Sequence, residues 1–207
     1  MGAGAPSRLS SETLTMFPRP RLAQVLTAPL AGLIVALKDV PDPAFAAGWL
    51  GDGIAIDPID SQLRAPCPGT ITRVARGGNA VEMVSFGGAR ILMHIGIDSH
   101  RCGCFAPVVT EGSKVAPGDT LIRFDPAELA GYLRFLIAKV IVLNAAEIGV
   151  TLLARGGAVQ AGQPLLGLKR VAQVAKATQV ANAPQAADAV GNDQCVCTRR
   201  QPAAVRA

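Results

Sequence analysis

Aromatic side chains are scarce in this 207-residue chain: they make up 4% of it, with one Trp, one Tyr and six Phe. A core must therefore be filled by Val, Ile, Leu and Ala. A nucleic-acid surface of basic residues interleaved with stacking aromatics has no raw material here. No apolar run reaches the length of a membrane-spanning helix. The nearest, Leu129 to Ile148, is interrupted by Tyr132, Arg134, Lys139, Asn144 and Glu147. A charged-then-apolar leader is also missing, so a cytoplasmic protein is expected. Five cysteines, Cys67, Cys102, Cys104, Cys195 and Cys197, form an odd set with two close pairs, unlike a disulfide framework. Histidine is scarcer still, with two in the whole chain.

What is present is apolar and rich in turns. Half the residues are hydrophobic, with 22 Gly and 15 Pro. That balance favours many short strands joined by tight turns. Much of the net charge of +5 lies near the ends, in Arg8, Arg19, Arg21, Arg199, Arg200 and Arg206, and reads as solvated basic tails. Residues 1–22 read as a flexible leader. Residues 171–207, rich in Ala, Val, Gln and Asn, read as a linker-like tail in which Val171 to Ala181 could form a helix. A single globular domain is expected over 23–170.

Two sequence patterns recur within that domain. Ala28-Pro-Leu-Ala-Gly32-Leu-Ile34 returns as Ala65-Pro-Cys-Pro-Gly69-Thr-Ile71. Gly112-Ser-Lys-Val115-Ala-Pro-Gly118-Asp-Thr-Leu121 returns, one residue shorter at the front, as Gly157-Ala-Val159-Gln-Ala-Gly162-Gln-Pro-Leu165. Each is a glycine turn, a short strand, a second glycine turn and another strand. Such units without intervening helices predict an all-β antiparallel sandwich or barrel with short helical turns. Further strands are expected at Leu33–Leu37, Ile54–Asp57, Gly69–Ala75, Ala80–Ser85, Ala89–Met93, Leu121–Phe124 and Lys139–Leu143. A helix over Ala127–Leu136 would have Asp125 as N-cap and Pro126 as its first residue. Ala44–Trp49 reads as one helical turn.

The segment Ile91-Leu92-Met93-His94-Ile95-Gly96-Ile97-Asp98 sets a lone imidazole in an apolar strand. Imidazole is the side chain best suited to act as a nucleophile or proton carrier near neutral pH. It is equally the kind of core histidine that a backbone carbonyl satisfies.

Two upstream segments join it: Asp39-Val-Pro-Asp42-Pro-Ala-Phe45-Ala46 and Gly51-Asp-Gly-Ile-Ala-Ile56. With Met93-His-Ile-Gly-Ile-Asp98, in this order and spacing, they resemble the glucose-type IIA domain of the bacterial phosphoenolpyruvate-dependent sugar phosphotransferase system, over about residues 26–168. The resemblance implies an antiparallel β-sandwich of the duplicated hybrid motif type with a shallow apolar face. His94 matches the phosphorylated histidine. Its Nε2 would take a phosphoryl group from the histidine-phosphorylated carrier protein and pass it to a cysteine of a IIB domain on a membrane sugar permease. No cofactor or metal is implied. Asp42 and Asp98 match positions that flank the histidine with negative charge, suited to an arginine on the carrier. Phe45, Leu50 and Leu92, with Trp49 as an addition, would form the apolar docking rim. For the two aspartates a turn-capping role is the alternative, and for the rim residues it is core packing.

The chain departs from the family pattern at three points. The family places a second histidine fifteen residues before the first, and here that position is Asn79. A threonine that orients this accessory histidine usually sits two residues earlier, and here it is Gly77. The loop Asp98-Ser-His-Arg-Cys-Gly-Cys-Phe105 is two residues shorter than usual. Asn79 can donate a hydrogen bond to a phosphoryl oxygen but cannot become cationic, which predicts weakened transfer. Two alternatives follow from these changes. One is a degenerate IIA-like protein-binding or regulatory module. The other is a zinc- or thiol-responsive module using His100, Cys102 and Cys104, which would share a face only if that loop were extended. The linker-like tail also suggests a piece of a longer fusion.

Overall fold

A computed structural model describes residues 24–171. The leader, and the tail with its expected helix from residue 172 onward, fall outside those residues. Along the described chain run β1 (Gln24–Thr27), β2 (Gly32–Val35), β3 (Asp52–Pro58), β4 (Gln62–Arg64), β5 (Gly69–Val74), β6 (Ala80–Ser85), β7 (Arg90–Ile95), β8 (Phe105–Pro107), β9 (Lys114–Val115), β10 (Thr120–Phe124), β11 (Ala138–Val142), β12 (Ile148–Leu152), β13 (Ala158–Val159) and β14 (Pro164–Arg170). The short helices α1 (Pro43–Ala46) and α2 (Pro126–Ala130) and two 3-10 turns, Leu37–Asp39 and Ser99–Arg101, interrupt them. Every strand pair is antiparallel. The architecture is the all-β antiparallel one that the turn-and-strand rhythm predicts.

The repeated patterns are the key to its organisation. The first copy of one pairs with the second copy of the other, in matching register: Gly32 faces Val159, and Gly69 faces Val115. The turns repeat too. Gly162 N–H donates to Ala28 O, and Gly118 N–H to Ala65 O, both at 2.9 Å. Ala28 N–H and Ala65 N–H return bonds to Gln163 O and Asp119 O. The sequence echo is therefore a structural duplication, with each half closed by the same pair of backbone hydrogen bonds.

An eight-stranded sheet, in the order β13-β2-β3-β11-β7-β6-β5-β9, carries most of the molecule. Two three-stranded sheets, β1-β14-β12 and β4-β10-β8, complete it. Because side chains alternate across a strand, the large sheet has two different faces. Ile54, Ile56, Met93, Ile91 and Val140 look into the main core. The opposite face carries a second, smaller cluster of Val40, Phe45, Ala55, Ile137 and Ile141, bordered by Leu50, Leu92 and Ile97. The central strand β11 is buried throughout for that reason.

Element boundaries move slightly from expectation. The strand predicted at 33–37 ends at Val35, because Leu37 begins a 3-10 turn. The helix predicted over 127–136 stops at Ala130, with Gly131 as its C-cap. Asp125 does cap it, accepting from Ala127 N–H at 2.8 Å. Glycine is a poor helix interior residue, and the following segment carries Leu133 against Gly96. That tertiary contact takes residues the sequence pattern would have left in the helix.

Candidate functional site

His94 lies on β7, one residue from its end, on the face with the smaller cluster. Its strand partners are Ala80 on one side and Lys139 on the other. Asn79 immediately precedes β6, and the ladder continues through it: Ile95 N–H donates to Asn79 O at 2.9 Å. This places the Asn79 amide across from the imidazole, with Nδ2 3.2 Å from His94 Nε2. Asn79 is 3% exposed.

The hydrogen-bond chain fixes which way each group points. Ser99 Oγ donates its one proton to the Ile95 carbonyl, so it must accept from Asn79 at 2.9 Å. The atom facing Ser99 is therefore the amide nitrogen. Its other N–H faces His94 Nε2, which must then be the acceptor. The proton of the neutral imidazole resides on Nδ1, and Nε2 is unprotonated, its single lone pair accepting from Asn79, which must release it before the nitrogen can attack. That is the state a histidine nucleophile needs.

Burial supports the neutral form. His94 is pushed down to a pKa of about 3, first by desolvation and then by the positive charge of Lys139. The Gly96 carbonyl opposes this shift. That oxygen, however, accepts from Lys139 Nζ, and His94 Nδ1 is buried without a hydrogen bond. The Gly96 carbonyl thus accepts from the lysine and leaves Nδ1 without a hydrogen bond.

The remaining predicted residues separate into those that converge and those that do not. The Phe45 ring sits 5.7 Å from the imidazole, centroid to centroid. Leu50 and Leu92 border the same cluster, half-buried. Asp42 caps α1 through a bond from Ala44 N–H at 3.0 Å, so the capping alternative describes its contacts. Its charge still reaches the site, since Asp42 and Asp98 both favour the protonated form of Lys139. Asp98 is exposed and adopts a left-handed backbone (φ 52°). Trp49, at 77% exposure, stands out in solvent.

His100, Cys102 and Cys104 do not form a ligand set. The turn Ser99–Arg101 breaks the extended geometry that would align them. His100 Nε2 accepts from Arg101, and Cys104 Sγ–H donates to the Cys102 carbonyl. Among the described residues no group of three or more His, Cys, Asp or Glu side chains could hold a metal ion. The zinc alternative is therefore set aside.

Three residues of the site escape sequence reading. Lys139 is fully buried beside His94, and its signal was one lysine inside the apolar run of β11. Ser99 anchors Asn79, a role expected of residue 77. Gly96 (φ 74°) turns the chain out of β7, where a Cβ would come within 2.8 Å of Ser99 Cβ.

A family model described as phosphoenolpyruvate-dependent sugar phosphotransferase system, EIIA 1, matches residues 24–148. A glucose-specific EIIBCA component of Corynebacterium glutamicum is 41% identical over 137 residues, 63% of this chain and 20% of that protein. A glucose-specific EIIA component of Halalkalibacterium halodurans is 38% identical over 129 residues, 61% of this chain and 75% of that one. The chain thus spans about a fifth of the multidomain relative and three quarters of the smaller one. Among solved structures, glucose permease IIA from Mycoplasma capricolum superposes with a TM-score of 0.65 at 28% identity, covering 71% of this chain and 96% of that one.

Proposed function

The chain belongs to the EIIA 1 family of the phosphoenolpyruvate-dependent sugar phosphotransferase system, and from that premise we propose that it is a phosphohistidine relay with His94 as phosphoacceptor. The Nε2 lone pair attacks the phosphorus of the carrier protein's phosphohistidine. A new P–N bond forms, and the carrier's P–N bond breaks, its electron pair staying with the carrier's nitrogen. In the second step a IIB cysteine thiolate attacks the same phosphorus, and His94 regains its lone pair. The action is cytoplasmic, and the membrane is met only through the permease partner. Among the described residues no helix is long and apolar enough to cross a membrane.

The observation that carries this reading is the Ser99–Asn79–His94 hydrogen-bond chain, which leaves Nε2 unprotonated beside the smaller apolar cluster. Phosphoryl transfer through a loose transition state asks the protein for positioning and charge balance more than for covalent chemistry. Phe45, Leu50 and Leu92 supply a shallow apolar rim on which two partners dock in turn, and Asp42 and Asp98 attract a basic partner residue. Asn79 keeps the hydrogen bond of the accessory position and lacks its charge, so transfer runs more slowly than with a histidine there.

The test is labelling. The chain is incubated with phosphoenolpyruvate, the general phosphotransferase enzyme and the carrier protein, and acid-labile phosphate is counted. Label on the wild-type chain and none on His94→Gln is expected. Equal counts on both would overturn the proposal. Label that forms but never discharges to a IIB domain would assign the chain to the non-transferring alternative.

A further inference from the structure

Lys139 is 0% exposed, in a strand otherwise made of Ala, Val and Ile. Lysine is almost never buried without a partner, because taking an ammonium out of water is costly. Nothing in the fold of β11 needs a charge: Lys139 faces Ala55 on β3 and His94 on β7, positions an apolar residue would fill. Its contacts all point to the site. Nζ donates to Gly96 O, the carbonyl two residues beyond His94. It lies 4.7 Å from the centre of the Phe45 ring, the ring that packs on the imidazole, in a cation–π arrangement. Asp42, from the α1 cap, and Asp98, from the loop after β7, favour its protonated form, and His94 feels its charge. One ammonium therefore bonds Gly96 O, lies over Phe45 and acts through its charge on His94, Asp42 and Asp98.

Building on the relay reading, we propose that Lys139 is a positioning residue of the phosphoryl site: its buried ammonium, anchored on Gly96 O, governs the electrostatics of His94 and offsets the negative charge that the phosphoryl group brings to Nε2. The accessory position holds a neutral amide, so the fixed positive charge of the site comes from the neighbouring strand. It acts from beneath the imidazole, where solvent screens it little. The burial that makes the charge effective also pulls the lysine's own pKa down to about 8, leaving it charged at neutral pH and neutral in mild alkali.

Two measurements that use no partner protein test this, so a failure of carrier labelling would not be mistaken for a failure here. The first is the titration of His94 by NMR of the imidazole-labelled chain. Lys139→Met should raise the His94 midpoint by about one unit, a tenfold change in proton affinity, and Lys139→Arg should not. Identical midpoints in the wild type and Lys139→Met would overturn the proposal. The second is the lifetime of phosphohistidine formed with phosphoramidate, a small-molecule donor. Lys139→Met should lose phosphate about tenfold faster than wild type, with Lys139→Arg in between, and equal lifetimes would overturn it. Lys139→Met should melt no lower than wild type, since a buried charge is replaced by an apolar side chain. If neither variant folds, the wild type decides alone. Its phosphohistidine should shorten in lifetime as pH rises from about 7 to about 9.5, across the lysine's titration, and a lifetime that stays flat or lengthens would overturn the assignment.

Discussion

At the scale of single residues the site depends on which atom holds one proton. Asn79 donates to His94 Nε2 and so selects the tautomer with the proton on Nδ1. Replacing the donor by an acceptor should reverse that choice. Asn79→Asp presents a carboxylate to Nε2, draws the proton onto that nitrogen and should, on the proposed relay, label more slowly than Asn79→Ala, which merely removes the donor. If Asn79→Asp labels as fast as Asn79→Ala, tautomer control is not what Asn79 does. The alanine variant itself should fall about tenfold, the usual weight of one hydrogen bond. Acid stability gives a second residue-scale prediction. The folded chain resists protonating His94 down to about pH 3, whereas the unfolded chain takes that proton near 6.5. The unfolded state therefore binds more protons through this window, and stability falls as pH drops from about 6.5 towards 3, by about 3–5 kcal/mol. The His94→Gln variant should lack this component. Urea unfolding of both chains across the range checks it, and parallel curves would mean that His94 takes its proton as readily folded as unfolded.

At the scale of elements, two changes that look independent in the sequence turn out to be one. The missing threonine at 77 and the short loop after Asp98 are separated by more than twenty residues, yet the loop lies against Gly77. A Cβ there would fall 2.7 Å from His100 O and 2.9 Å from His100 Cα. The shortened loop turns inward as the 3-10 turn Ser99–Arg101 and needs a residue without a side chain beneath it. The same turn delivers Ser99 to Asn79. The anchoring role thus moves from residue 77 to residue 99. Gly77→Thr should accordingly destabilise the chain by about 1–3 kcal/mol, the range for overpacking a close contact, and should displace Ser99 from Asn79. Thermal melts measure the first effect, and the NMR signals of His94 and Asn79 report the second. A melt unchanged by Gly77→Thr would show that the loop has room to move away. The spacing of the family the chain resembles set Asn79 against His94, and the structure brings the two together because Asn79 directly precedes β6 and its carbonyl continues the ladder to β7. That spacing could not locate Ser99 or Lys139, because the loop path and the burial of one lysine depend on which strands become neighbours.

At the scale of the whole molecule, the duplication explains why so much of the architecture was legible. Gly32 with Val159 and Gly69 with Val115 repeat one pattern twice, so the echo in the sequence carries long-range pairing information that single strands do not. The helix end at Ala130 and the fully buried β11 carried no such echo, and tertiary packing decided them. The site sits in the middle of the eight-stranded sheet, on β7 and β11 and the turn before β6, while β1 and β14 close the molecule elsewhere. Stability and site geometry should therefore separate. Leu26 on β1 and Met93 on β7 are both fully buried in the main core, and truncating either to alanine should cost about 2–5 kcal/mol. Leu26→Ala removes packing from β1, which pairs with β14 in a separate sheet from the one that carries the site, so folded protein should label at His94 at the wild-type rate. Met93→Ala opens a cavity under Val140, directly across the strand pair, between the residues that carry His94 and Lys139. On the proposed relay, a small shift there moves His94 relative to its incoming partner, and errors near an ångström cost rate steeply. Labelling of Met93→Ala should fall well below that of Leu26→Ala at matched folded fraction. Equal losses in the two variants would mean that the large sheet transmits strain from its closing strands to the site, and that the central position of β7 and β11 gives His94 no protection.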